Sequence, residues 1–344
     1  MTNKKQTAII IGILAVVLAG FVFFYMKNQQ KEPVSATSFK LNTIVKVTIY
    51  DSQDESLLQE VMDLCDQYEK VFSRTLAESE LYRLNRQELP SEDGKTFDIS
   101  PELAALTAKG LEYSKISKGA FDITVAPVSS LWDFTSGAKK IPAKTEIEEA
   151  LPLVNYKNVE LSDARIRFEK QGMGLDLGAI AKGYIADKMK EFLISKGVKS
   201  AIIDLGGNVL CVGKRPDNKP FRIGIQRPFA GRSETVATVE IEDKSVVSSG
   251  IYERYFEKNG TLYHHILNPK TGYPYENDLV SVTIISDKSV DGDGLSTSCF
   301  ALGLEEGMAL VESLDGIHAV FITADGELYL TKGLEEELEL IYTE

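Results

Sequence analysis

Between residues 165 and 213 the chain runs through RIRFEKQG, DLGAIAKGYIADKMKEFLISKG and SAIIDLGGNVLCVG, which reads as strand, glycine turn, long helix, strand, glycine turn, strand. That order excludes an all-helical bundle and an all-β sandwich, and leaves an α/β (α+β) class in which helices pack on sheets. Farther on, YERYFEKNGTLYHHI sets two alternating runs around Asn259-Gly260, the turn pair most specific for a two-residue hairpin. LVSVTIIS and AVFITADGELYLT add strands, the second with a turn at Asp325-Gly326. Mixed, partly antiparallel sheets are therefore expected, not a purely doubly wound one.

Upstream, VKVTIYD (45–51) alternates as a half-buried strand does. Leu57, Leu58, Val61, Leu64, Cys65, Tyr68 and Phe72 recur at helical spacing. Ser100, Pro101 and Glu102 open another helix as N-cap, first-turn proline and early acid.

At the amino terminus, Lys4 and Lys5 precede an uncharged stretch whose apolar part, 8–26, suffices to cross a hydrocarbon layer of roughly 30 Å. A cleaved signal peptide would have a shorter apolar core with a small-residue cleavage site, and a lipoprotein a cysteine behind it, whereas the first cysteine is Cys65. The expected organisation is a cytoplasmic stub (1–7), one N-terminal transmembrane helix (8–26), a linker (27–36) and a catalytic domain (37–344). The domain would lie on the extracytoplasmic side of the cell membrane, although Lys27 and Lys31 weaken the charge asymmetry that orients the helix.

Lys and Arg number 38 against 51 Asp and Glu, a net charge of −13, which argues against any broad nucleic-acid surface. A phosphate ligand must then be met by backbone, a metal or a few local cations. Cys65, Cys211 and Cys299 are too few and too scattered for a disulfide framework or a zinc ribbon, and read as core residues.

Four stretches carry candidate chemistry. In GMGLDLGAIAKGYIADKM (172–189) the third glycine falls one position late for a dinucleotide fingerprint. What remains is backbone able to approach a ligand and a helix N-terminus open to an anion; equally, Asp176 can be a plain helix cap and Gly183 a packing site. IIDLGGNV (202–209) ends at Asp204-Leu-Gly-Gly-Asn, which can meet a ribose or phosphate or can simply be a tight turn. In HHILNPKTGYP (264–274), His264 and His265 on a strand would face opposite sides, so at most one faces a given site. No further histidine or thiolate accompanies them at zinc spacing. G-x-S-x-G is missing, which removes the serine-triad hydrolases built on that motif.

The fourth stretch is VDGDGLSTSCFALG (290–303). Counted from Asp291, a calcium loop would need oxygens where Leu295 and Leu302 stand. A helix beginning near Gly294 would instead place Asp293 and Thr297 on one side. Together they offer two hard oxygens, which suits Mg²⁺. The alternative makes Asp293 an N-cap with Thr297 in the core. Asp291 reads as a turn residue.

Taken in order, LNTIVKVTIY, FSRTLAESELYRLN, SKGAFDITVAPVSSLW, GMGLDLGAIAKGYIAD, AIIDLGGNV, SSGIYERYF, YHHILNPKTGYP and DGDGLSTSCFALG resemble the ApbE family, the FAD:protein FMN transferases, from about residue 41 to 330. The resemblance implies an ApbE/T-fold-like domain that moves FMN from FAD to a Thr or Ser hydroxyl of an acceptor protein as a phosphodiester, with release of AMP and a need for Mg²⁺. It implies metal ligands at Asp293, Thr297 and Ala179, the last through its backbone carbonyl. FAD contacts are implied at Leu41, Ala120, Phe121, Asp122, Asp176, Lys182, His265 and Ile266. Lys182 stands where some relatives have Glu, and Thr75 where some have a tyrosine expected to stack on flavin. His265 is the candidate to take the hydroxyl proton or brace a phosphate, since imidazole titrates near neutrality. Catalysis would rest on His265 and Asp293.

Acceptors of the family carry Asp-x-x-Ser/Thr-Gly-Ala-Ser/Thr, and an extracytoplasmic redox subunit is the expected partner. This chain has Asp133-Phe-Thr-Ser-Gly-Ala-Lys139, with no hydroxyl at the acceptor position, so self-flavinylation there is not expected. Two other readings keep parts of the site: an FAD pyrophosphatase in which water replaces the acceptor, and a non-catalytic, membrane-tethered flavin-binding protein. The second leaves the Asp293 and Thr297 pair without a purpose.

Overall fold

In TIVKVTI the apolar residues alternate with Thr and Lys, and the strand Thr43–Ile49 accordingly turns Val45, Val47 and Ile49 inward. It is the second of eight strands in one sheet: Val34–Lys40, Thr43–Ile49, Ser200–Leu205, Asn208–Gly213, Ser245–Gly250, Leu279–Ser286, His318–Thr323 and Leu328–Leu330. Each pairs antiparallel with the next in that order. The computed structural model describes residues 32–343 apart from Arg232, together with Gly12, Leu14, Val17, Leu18 and Gly20. Among these residues no helix is long and apolar enough to cross a membrane. The run 8–26 expected to do so lies, but for those five residues, outside them.

Two central strands, Leu279–Ser286 and His318–Thr323, are buried along their whole length because both faces of the sheet are covered. On one face Val282, Ile284, Ala319 and Phe321 share a core with the helical Leu295, Cys299 and Phe300. On the other, Val246, Ile285, Val320 and Ile322 pack against Phe221, Ile225 and Val239 of a three-stranded sheet. Every strand pairing among the described residues is antiparallel, not merely some. The strand–helix–strand run joins different sheets: Arg165–Phe168 belongs to a small sheet with Thr96–Asp98 and Val159–Ser162, and only the strand after the helix enters the large one.

The helices Ser56–Phe72 and Pro101–Ile116 form where expected, the second capped by Ser100 Oγ, which accepts the Leu103 N–H at 3.2 Å. The hairpin of Tyr255–Lys258 and Thr261–His264 turns at Asn259 and Gly260, with φ of +54° and +77°. Gly206 and Gly207 make the second tight turn, at +69° and +94°. All three cysteines are free and buried.

Two helix starts differ from expectation. The helix Ala181–Ser195 begins five residues after Asp176, which is therefore not its cap. The helix Ser289–Leu302 begins well before Gly294, because the Asp187 carboxylate accepts the N–H groups of Ser289 and Val290. Its glycines are contact points: a Cβ at Gly292 would lie 2.6 Å from Val247 Cγ2, and one at Gly294 2.4 Å from the Tyr113 ring. Asp291, read as a turn residue, instead stands in the first helical turn, where it accepts the Tyr113 hydroxyl at 2.6 Å and lies 3.8 Å from Lys109 Nζ.

Candidate active site

Asp293 sits in the second turn of the Ser289–Leu302 helix and is only 5% exposed. Its Oδ2 accepts the Gly183 N–H at 2.6 Å and its Oδ1 the Asn208 side-chain amide at 3.0 Å. Asn208 Oδ1 in turn accepts the Ser289 hydroxyl at 2.6 Å, which fixes the amide the right way round. Burial pushes the Asp293 carboxyl above the usual range, against the pull of the Lys182 ammonium and these two donors.

Gly183 is the third residue of the Ala181–Ser195 helix, where an N–H has no acceptor within the helix. It donates to Asp293, and among the described residues no donor bonds the Ala179 carbonyl. Thr297 follows Asp293 by one turn, with its Oγ1 3.0 Å from Ser249 Oγ, itself 2.8 Å from Ser296 Oγ. A buried carboxylate, a hydroxyl and a carbonyl without a donor are all hard oxygens. They fit Mg²⁺, which commonly takes one or two protein ligands and leaves the rest to water and phosphate. Among the described residues no three His, Cys, Asp or Glu side chains cluster as another kind of metal site would require.

His265 follows the hairpin's second strand. Its backbone N–H and its Nδ1 both meet the Arg254 carbonyl, at 3.1 and 3.2 Å. A carbonyl only accepts, so Nδ1 carries the proton and Nε2 keeps its lone pair. Burial, then the Arg254 charge and His264, push the imidazole down to about 3, so the expected titration near neutrality gives way to a ring that stays neutral. His264 plays the other part that strand alternation allows: it is buried, with Nε2 2.9 Å from the Tyr275 carbonyl and its ring edge-on to Phe300. The charge of Lys182 reaches both Asp293 and His265.

Asp176 is held by Arg74 at 3.2 Å, Ser129 Oγ at 2.8 Å and the Gly178 N–H at 3.1 Å. Burial alone would raise its pKa, but Arg74 with these donors outweighs burial and holds the carboxyl below the usual range. Arg254 also bears on it, which links Asp176 to the His265 side of the site. Thr75 is exposed, beside Arg74.

The remaining sequence candidates frame the site. Asp122 binds inward, accepting from Thr124 N, Thr124 Oγ1 and Tyr156 N at 2.8, 2.6 and 2.9 Å, so its carboxylate braces a loop. Phe121 is buried edge-on against Tyr113, and the Ala120 carbonyl accepts the Tyr275 hydroxyl at 2.9 Å. The buried Ile266 accepts Tyr275 N–H at 3.0 Å and so closes the turn after His265. Leu41 has φ of +52° and donates its N–H to Glu69. Its turn abuts the Gly206 turn that leads into Asn208, since a Cβ at Gly206 would lie 1.9 Å from Thr43 Oγ1.

Sequence reasoning missed Arg74, Asn208, Ser249 and Arg254 as members of the site. All four lie within stretches that carry the resemblance, but only the fold aims them. A separate cleft of about 440 Å³, lined by Asp133, Phe134, Gly137, Lys139, Tyr255, Phe256 and Glu257, shares no residue with this set.

With that geometry in hand, a family model described as the ApbE family matches residues 41–321. The chain belongs to the ApbE family. Among curated proteins, a FAD:protein FMN transferase of Klebsiella pneumoniae is 36% identical over 282 residues, covering 81% of this chain and 86% of its own. One of Treponema pallidum is 31% identical over 350 residues, covering 96% and 95%. Among solved structures, the flavin transferase ApbE from Vibrio cholerae superposes with a TM-score of 0.79 at 26% identity over 89% of this chain and 99% of its own. The ApbE protein from Thermotoga maritima gives 0.79 at 28% identity, over 91% and 100%. The mixed fold of antiparallel sheets and packed helices is thus the ApbE fold.

Proposed function

We propose that this chain is a FAD:protein FMN transferase: it moves FMN from FAD to a Thr or Ser hydroxyl of an acceptor protein and releases AMP. The observation that carries the reading is the set of hard oxygens around Asp293, where the Gly183 N–H donates to the carboxylate and, among the described residues, no donor bonds the Ala179 carbonyl. Asp293, Thr297 and that carbonyl would hold Mg²⁺. Bound there, the ion supplies charge neutralisation to the FAD pyrophosphate.

The chain's own residues do the rest. Arg74, Lys182 and Arg254 gather positive charge around a site in a protein of net charge −13, which favours a dianionic pyrophosphate locally. His265 Nε2, with its lone pair free, takes the proton of the acceptor hydroxyl once the bound pyrophosphate dianion offsets the Arg254 and Lys182 charges that depress the ring. The hydroxyl oxygen bonds to the phosphorus on the flavin side while the bond from that phosphorus to the bridging oxygen breaks, and AMP departs with that oxygen. The product is a phosphodiester between acceptor and riboflavin.

The uncharged run 6–26 supports anchoring in the cell membrane, with the catalytic domain and its redox-protein acceptor outside the cytoplasm. Protease accessibility in intact cells tests this.

To test the activity, the full chain in detergent is mixed with FAD, Mg²⁺ and a protein bearing Asp-x-x-Thr-Gly-Ala-Thr, then run on a denaturing gel. Flavin fluorescence on the acceptor supports the transferase. FMN and AMP without an adduct would make it an FAD pyrophosphatase, and unchanged FAD a binding protein.

A further inference from the structure

The helices Ala181–Ser195 and Ser289–Leu302, which flank the oxygens proposed to hold Mg²⁺, cap each other. Asp293, on the Ser289–Leu302 helix, accepts the N–H of Gly183 in the first turn of Ala181–Ser195 at 2.6 Å. Asp187, on Ala181–Ser195, accepts the N–H groups of Ser289 at 2.8 Å and Val290 at 3.0 Å at the start of the other helix. Each carboxylate thereby satisfies N–H groups that a helix leaves unpaired, and each complements the other helix's dipole. Gly183 lets the two come this close: a Cβ there would lie 2.3 Å from the Ser289 carbonyl oxygen. The residue at the N-cap position, Lys288, makes no side-chain capping bond, so the start of the helix relies on Asp187.

We propose that Asp187 is a positioning residue for the metal site: by pinning where the Ser289–Leu302 helix begins, it fixes the rotation at which that helix presents Asp293 and Thr297 to the start of Ala181–Ser195. This rests on the reading of Asp293, Thr297 and the Ala179 carbonyl as a Mg²⁺ site. A helix turns about 100° per residue, so a start that slips by one residue would carry both side chains off the site. No hydrogen bond joins Asp187 to Asp293 or Thr297, so its action runs through the helix. Burial raises the Asp187 carboxyl to about 6. Asp291 on the facing helix also raises it, while the Ser289 and Val290 N–H groups and Lys190 on its own helix pull it back. Lys109 and Tyr113 of Pro101–Ile116 face it as well.

The test uses full-length wild type, Asp187→Asn and Asp187→Glu. Thermal unfolding is followed across a Mg²⁺ titration with FAD present, and FAD binding without metal is read by flavin fluorescence. Asp187→Asn should unfold cooperatively and bind metal-free FAD as wild type does, yet need at least about tenfold more Mg²⁺ for half its thermal shift, the range seen when groups that orient ligands are lost. The same Mg²⁺ requirement in wild type and Asp187→Asn would overturn the proposal while leaving the metal site standing. A wild type indifferent to Mg²⁺ would overturn both. Should Asp187→Asn fail to fold, Asp187→Glu decides: it keeps the charge one methylene farther out, and a raised Mg²⁺ requirement supports the positioning role while an unchanged one overturns it.

Discussion

The Gly183 N–H lies 2.6 Å from Asp293 Oδ2, a bond between residues 110 positions apart that satisfies a first-turn N–H with no acceptor in its own helix. Asp293→Asn removes the one charge on the metal oxygens with little change in shape. Transfer should fall at least about a hundredfold, since a bound metal supplies several kcal/mol of charge stabilisation. Stability should move the other way. Burial raises the folded pKa above the unfolded value, so the folded chain holds its proton more tightly, and stability is lost as pH rises through that window. Without Mg²⁺, the thermal midpoint of Asp293→Asn relative to wild type should improve from about pH 4 to pH 7. A relative midpoint that declines over that range would contradict this.

Gly183→Ala tests the approach of the two helices. Alanine favours a helix by about 1 kcal/mol over glycine, but here its Cβ would meet the backbone oxygen of Ser289 at 2.3 Å, where no side chain can swing aside. Overpacking of that kind costs about 1–3 kcal/mol. The urea midpoint should therefore drop; a variant as stable as wild type would mean the helices stand farther apart.

Ser249 touches the site only through Thr297 and Ser296, at 3.0 and 2.8 Å. Ser249→Ala should leave the unfolding midpoint nearly unchanged and weaken Mg²⁺ binding about tenfold, because a hydroxyl that orients a ligand is lost without its bulk. Mg²⁺ titration of the FAD complex by calorimetry reads this directly.

The elements that sequence reveals here are those set by local rules. The apolar period of Ser56–Phe72, the Ser100 cap and the Asn259-Gly260 turn each depend on residues within a few positions, and each forms as read. The Asp293 and Thr297 pair was legible for the same reason, being one helical turn apart. Their partners were not: Asn208 lies 85 residues from Asp293 and Ser249 48 from Thr297, and no pattern along the chain says which strand end a carboxylate will face. The antiparallel sheet was half legible, since a helix between strands does not reveal that they join different sheets. The start of Ser289–Leu302 was misplaced because its cap, Asp187, comes from another helix.

His265 carries the last prediction. With Nδ1 held by the Arg254 carbonyl, Nε2 is the atom free to accept a proton, and His265→Gln should lower transfer by about 10²–10⁴-fold, the usual share of a general base. Because burial and Arg254 push the ring of the ligand-free chain down to about 3, it stays neutral there from about pH 5 upward. Stability carries the complementary sign. Below the unfolded value of about 6.5 the unfolded chain takes up a proton that the folded ring refuses, so wild type loses stability as pH falls toward about 3. His264, depressed by burial in the same direction, keeps its share in the variant. The urea midpoint should therefore fall less in His265→Gln than in wild type between roughly pH 7 and pH 5. Equal losses in the two proteins would show that the His265 ring is solvated, and would remove the argument for a ring held neutral in the ligand-free chain.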